Sequence, residues 1–133
     1  LEPIKIKGKT FILDGGHNEG GALSVRRAME SYFSDKSVAL VIGMFKDKDY
    51  KTVIRLLAEK AAFVAAVSAP TERGLSSKEV AMEAEKHCGA VNDCGDIKLA
   101  IKEAAARFDS VIITGSLSIL KEAKKAIKRL IWI

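Results

Sequence analysis

The chain has 133 residues, enough for one compact domain with a buried core and too few for two ordinary ones. Hydrophobic residues make up 48% and charged residues 29%, with only two prolines, a balance that excludes a disordered or fibrous chain. The formal charge of +5 is spread along the chain with acidic residues interleaved, so no nucleic-acid surface is expected, although the field mildly favours anionic ligands.

No apolar run approaches a membrane span and the first residues carry no signal-peptide pattern, so a cytoplasmic protein without a membrane partner is expected. Cys88 and Cys94 lack the neighbours of a zinc site or a redox pair, and both read as reduced core or rim residues. Leu1-Glu2-Pro3 leads at once into the strand-like Ile4-Lys5-Ile6, as in a single domain, residues 1–133, cut from a longer protein.

In chain order, strands are predicted at Thr10–Asp14, Ser37–Gly43, Ala62–Ser68, a short Ala90–Asn92 and Ser110–Gly115. The runs Val38–Ile42 and Val111–Ile113 are apolar at every position, which predicts burial on both faces and a central place in the sheet. Between the strands, helical spacing links Ala22, Val25, Met29 and Phe33, then Val53, Ile54 and Leu57, then Ile97, Ile101, Ala104 and Ala105, and last Leu120, Ala123 and Ile127. Ser76 to Glu79 forms a capping box that starts a helix running through His87, and Asp96 is placed to cap the next one. Strands alternating with helices predict an α/β, Rossmann-like, mainly parallel sheet with helices on both faces. Ligands of such sheets bind at the carboxyl ends of the strands.

Three strand ends carry chemistry. In the first, Leu13-Asp14-Gly15-Gly16-His17-Asn18, Asn18 is placed to cap a helix and Asp14 could accept the hydroxyls of a ribose, with His17 able to donate to a phosphate or acyl oxygen. A capped turn explains the same residues equally well. Neither a dinucleotide fingerprint nor a Walker A loop can be laid on this segment, which excludes a small Rossmann oxidoreductase. The second cluster, Gly43-Met44-Phe45-Lys46-Asp47-Lys48-Asp49, offers Asp47 or Asp49 as a helix cap and Lys46 or Lys48 as partners for an anion. The third, Thr114-Gly115-Ser116-Leu117-Ser118, puts hydroxyls at another helix start. No Ser/His/Asp hydrolase order and no metal site can be assembled, and His87 reads as a surface or capping residue.

Taken in order, the three clusters resemble the C-terminal domain of folylpolyglutamate synthase/dihydrofolate synthase, a branch of the Mur ligase superfamily, over nearly the whole chain. Gly16 replaces the usual alanine of the first motif, Glu19 stands where proline is usual and Ser118 where tyrosine is frequent. Arg73 resembles an arginine that the family often carries after the strand ending at Ser68. The resemblance implies an ATP-dependent amide ligase. ATP phosphorylates a pteroate or folate carboxylate, and the amine of L-glutamate then displaces the phosphate. It also implies that the phosphate loop and the Mg2+ ligands lie in an upstream domain, so that this domain alone is inactive and holds no metal. On the carry-over, Asp14, His17 and Asn18 would bind ATP, with His17 beside the reacting phosphate. Ser116, Lys46 and Lys48 would face glutamate, in a monomeric enzyme. A peptidoglycan-precursor Mur ligase or a free-standing binding module is the alternative.

Overall fold

The computed structural model describes residues 2–15, 18–46 and 49–130. Eleven elements follow one another: β1 (Glu2–Ile6), β2 (Lys9–Asp14), α1 (Glu19–Tyr32), β3 (Ala39–Gly43), α2 (Tyr50–Ala58), β4 (Phe63–Val67), α3 (Ser77–Glu85), β5 (Val91–Gly95), α4 (Ile97–Arg107), β6 (Ser110–Gly115) and α5 (Leu117–Leu130). The six strands form one sheet in the order β1-β2-β6-β3-β4-β5, parallel throughout except for the β1/β2 pair. The expected mainly parallel α/β architecture is therefore present, and the two all-apolar runs are neighbours at its centre.

Because successive strand residues point to opposite faces, the inner strands feed two cores. Ile12, Leu40, Ile42, Val64, Ala66 and Ile112 pack against Val25 and Met29 of α1, Ile54 and Leu57 of α2, and Val80 and Ala84 of α3. Phe11, Leu13, Val41, Phe63, Val111 and Ile113 pack on the other face against Ile101 and Ala104 of α4 and Ile119, Ala123 and Ile127 of α5. The predicted helical stripes face the sheet, with Phe33 and Leu120 at the margins of the cores and Ile119 joining Ala123 and Ile127 on the buried face of α5.

Local chemistry sets most boundaries. Lys7 and Gly8 both adopt positive φ (50° and 80°), the backbone of a two-residue hairpin turn that matches the twist of β1 and β2. Ser76 Oγ accepts from the Glu79 amide at 3.2 Å, the N-cap half of the expected capping box, and Glu79 returns a contact by accepting from the Ser76 hydroxyl at 3.3 Å. Four expectations need correction. Ser37 is spent on a turn, its amide and hydroxyl both donating to Ser34 O, so β3 begins at Ala39. β5 is longer than the predicted stretch because pairing with β4, interrupted by an irregularity at Ala66/Val67, carries the polar Asn92 and Asp93 into the sheet edge. α3 ends at Glu85, before His87, whose ring sits 3.4 Å from the Glu83 carboxylate. Asp96 occupies the N-cap of α4 without a side-chain cap: the turn at Gly95 (φ +72°) directs its amide to Cys94 O, and its side chain lines a cleft with Ser68, Ile119 and Glu122.

On the α1/α2 side, Arg26 donates to Glu59 at 2.6 Å, with Arg55 at 3.7 Å, and this hydrogen bond to Arg26 holds the Glu59 carboxyl below its ordinary pKa. Pairs so exposed stabilise by less than about 1 kcal/mol and serve to fix how α1 meets α2. No described helix is long and apolar enough to cross a membrane.

Candidate functional site

The chain leaves β2 and β3 towards the α1/α2/α3 face and leaves β6 towards the α4/α5 face, so the carboxyl end of β6 is the point where the connections diverge. Open α/β sheets bind ligands at such a switch point, because diverging loops leave a crevice there. Its walls are the described residues of the three clusters singled out in the sequence. Asp14 is paired in register with Thr114, and Gly43 with Gly115.

Asp14 is half-buried at the end of β2. Asn18 is extended (φ −130°, ψ 174°), and its Oδ1 accepts from the Gly21 amide at 2.8 Å while its carbonyl accepts from Ala22 at 2.9 Å. This cap satisfies one of the orphan amides of α1 and leaves those of the first turn directed outward, the geometry in which a helix start attracts anions. The capped turn, one of the two readings of this segment, is thus present, and the half-buried carboxylate beside it keeps the other. His17, Asp47 and Lys48 lie outside the described residues.

The loop after β3 is held by the loop after β4. Lys46 N donates to Arg73 O and Leu75 N to Met44 O, both at 2.8 Å, and the Arg73 guanidinium lies 4.9 Å from the centre of the Phe45 ring. Lys46 and Arg73 are both exposed, so two cations flank this strand end. Asp49 caps α2, accepting from the Thr52 amide at 3.4 Å, in agreement with its capping role. Arg73 was placed here by resemblance alone. Gly74, which makes the tie possible, carried no signal in the sequence.

Under the crevice, Gly115 adopts φ +113°, and a Cβ on it would collide with the Gly43 carbonyl. The same carbonyl accepts from Ser116 N at 2.8 Å. Ser116 is 1% exposed and forms the floor of the site. Thr114 is fully buried, and among the described residues its Oγ1 is a buried side-chain polar atom with no hydrogen-bond partner. Such an omission costs about 1–3 kcal/mol.

Other chemistry-bearing residues lie away from the switch point. Along the β5 edge, Cys94 Sγ donates to Glu103 at 3.2 Å, and Glu103 also accepts from Asn92 and pairs with Arg107 at 3.2 Å beside a cleft of about 650 Å³. Burial first, then the Glu103 hydrogen bond and charge, push the Cys94 thiol up to about 12. The thiolate is the reactive form, so Cys94 is expected to react slowly. Both cysteines are free, as expected. Alkylation with iodoacetamide at pH 8 should modify Cys94 at least about a hundredfold more slowly than an unperturbed thiol; peptide mapping that finds Cys94 labelled at an ordinary rate would contradict this assignment. Among the described residues no three His, Cys, Asp or Glu side chains converge on a point that could hold a metal ion.

A family model described as "Mur ligase, glutamate ligase domain" matches residues 1–117. No curated protein matches the sequence. Among solved structures, folylpolyglutamate synthase from Thermotoga maritima superposes with a TM-score of 0.82 at 26% identity, over 96% of this chain and 30% of that one. Escherichia coli FolC in complex with DHPP and ADP gives 0.83 at 20% identity, over 95% and 30%. The bifunctional folylpolyglutamate synthase/dihydrofolate synthase of Yersinia pestis complexed with AMPPNP and Mn ion gives 0.81 at 22% identity, over 96% and 30%. The latter two likenesses establish the fold. The chain spans less than a third of the length of each of these proteins. With a family model covering 117 of its 133 residues and this fold, the chain belongs to the Mur ligase, glutamate ligase domain family.

Proposed function

We propose that this chain is the C-terminal domain of a cytoplasmic, monomeric ATP-dependent ligase that adds L-glutamate to dihydropteroate, folate or both. The observation that carries the proposal is the convergence of Asp14, Lys46 and Ser116 on adjacent strand ends at the sheet's switch point. The ADP, AMPPNP and DHPP named for the similar structures support nucleotide and pteroate substrates.

In this reaction the γ-phosphoryl group of ATP passes to an oxygen of the substrate carboxylate, giving an acyl phosphate and ADP. The glutamate amine attacks the acyl carbon and loses a proton, and the tetrahedral intermediate collapses to the amide with release of phosphate. Such chemistry asks the protein mainly for positioning and for stabilisation of charge. Asp14 accepts the ribose hydroxyls, and the start of α1, shaped by Asn18, faces the phosphates. His17 donates to the acyl phosphate as charge develops on it. Glutamate brings two carboxylates, which suit the exposed cations Lys46 and Arg73 near the buried Ser116, with Lys48 assigned to the same carboxylates.

A divalent cation, Mg2+ in this reading, shields the triphosphate when bound. Its ligands are assigned, in this reading, to an upstream domain of the enzyme, and no step above is routed through it.

Glutamate incorporation by the enzyme carrying this chain tests the proposal. Asp14→Ala should raise the KM for ATP about tenfold or more, the scale of a lost hydrogen bond to a charged group. His17→Ala should lower kcat by about 100-fold, as loss of one charge-stabilising donor does. Absence of ATP-dependent glutamate incorporation, or wild-type kinetics in both variants, would overturn it.

A further inference from the structure

Thr114 is the last but one residue of β6 and stands between Asp14 of β2 and Ile42 of β3 in the sheet register. Paired residues of parallel strands project to the same face, with the strands about 4.8 Å apart. The Thr114 hydroxyl is therefore flanked by one carboxylate and one hydrocarbon. It is fully buried, and its Oγ1 has no partner among the described residues. Native proteins rarely leave such a group unpaired, so an exception calls for a partner or a role. Ile42 has nothing to offer. Asp14, half-buried at the strand end, has about four lone-pair sites and can spare one. Rotation about χ1 alone swings a threonine hydroxyl from one staggered position to another without moving the backbone.

We propose that Thr114 is a positioning residue for Asp14: its hydroxyl donates to one carboxylate oxygen once a nucleotide ribose has engaged the other, so that the carboxylate is held in its ribose-binding orientation. The proposal rests on the reading of Asp14 as the ribose acceptor. It assigns to the first residue of the Thr114-Gly115-Ser116 segment a function distinct from that of its neighbours. Gly115 allows the close approach to β3, and Ser116 forms the floor. The orphaned hydroxyl also gives stability and binding opposite signs. Removing it relieves the nucleotide-free domain of an unpaired polar group and deprives the bound state of a hydrogen bond.

The test measures steady-state kinetics and thermal unfolding of the enzyme carrying this chain. Thr114→Val should raise the KM for ATP about tenfold, corresponding to one hydrogen bond to a charged group, while kcat stays within about twofold and the unfolding midpoint in the absence of nucleotide is unchanged or higher. Thr114→Ser should restore the KM. In an Asp14→Ala background, Thr114→Val should add nothing, since the two residues act through one contact. If the valine variant does not fold, Thr114→Ala compared with Thr114→Ser makes the same distinction. A normal KM in Thr114→Val alongside a raised KM in Asp14→Ala overturns this proposal and leaves the role of Asp14 standing. A normal KM in Asp14→Ala overturns both. A fall in kcat without a change in KM, or failure of serine to rescue, shows a packing role and also overturns the proposal.

Discussion

Replacing Gly115 by alanine should destabilise the domain by at least about 3 kcal/mol, through overpacking and backbone strain together. Gly115 ends β6 at φ +113°, a conformation that L side chains rarely adopt. A Cβ there would collide with the Gly43 carbonyl and reach within 3.1 Å of Met44 Sδ. Gly43 cannot retreat. Its own Cα faces Val67, where an added carbon would lie 2.9 Å from Cγ2, and its carbonyl is the acceptor for Ser116 N at 2.8 Å. The two central strands would have to separate at the point where the site is built. Against a total stability of about 5–15 kcal/mol this is about a fifth of the whole or more, and the thermal midpoint should fall by roughly 10 °C or more. Two controls isolate the cause. Gly89→Ala meets nothing within 4 Å and should be nearly neutral, whereas Gly8→Ala also meets nothing but sits at φ +80°, so it should show the conformational cost alone. A Gly115→Ala midpoint no lower than that of Gly8→Ala would remove the argument for a tight β3/β6 junction.

The sequence exposed those parts of the fold whose physics is local. Val111-Ile112-Ile113 and Val38–Ile42 are buried on both faces and read as central strands because no polar residue interrupts them. Asn18 and Ser76 cap helices because the oxygen that bonds the backbone lies three residues from its donor. What the sequence hid depends on neighbours distant in the chain. The second half of the edge strand β5, Asp93–Gly95, has neither alternation nor an apolar run, and only its pairing with β4 extends the predicted short strand that far. Asp96 has the right residue type for a cap yet makes no side-chain cap bond, while its amide closes a turn across Gly95 to Cys94 O.

The same division runs through the site. Asp14, Lys46 and Ser116 were legible as candidates from their types and their places at strand ends. That they border one crevice follows only from the insertion of β6 between β2 and β3. The unpaired hydroxyl of Thr114 could not be read at all, since a threonine before a glycine gives no sign of whether its oxygen has a partner.

The largest local effect outside the strands is expected at Gly74. A Cβ on this residue would collide with the Ala69 carbonyl and lie 2.9 Å from the Thr71 carbonyl, both fixed backbone atoms of the tight loop closed by Gly74 N to Thr71 O at 2.8 Å. Gly74→Ala must therefore open the loop, at a cost of about 1–3 kcal/mol for overpacking. The opening bears on the site because Gly74 bridges Phe45, and the flanking bonds from Lys46 N to Arg73 O and from Leu75 N to Met44 O join the two loops. Leu75 anchors the pair from below, 2% exposed in the core against α2 and α3. Loss of the bridge should leave Lys46 and Arg73 without a fixed spacing, and two cations at an undefined distance are poor partners for the two carboxylates of glutamate. Hydrogen exchange should quicken at the Lys46 and Leu75 amides while those of Val41 and Ile113 in the central strands remain protected, the pattern of a local rather than a global opening. In the enzyme carrying this chain the KM for glutamate should rise and that for ATP change little, because Asp14 and Asn18 stand on the far side of β6. Equal loss of protection in the central strands, or a KM change confined to ATP, would show that the loop after β4 does not set the glutamate side of the crevice.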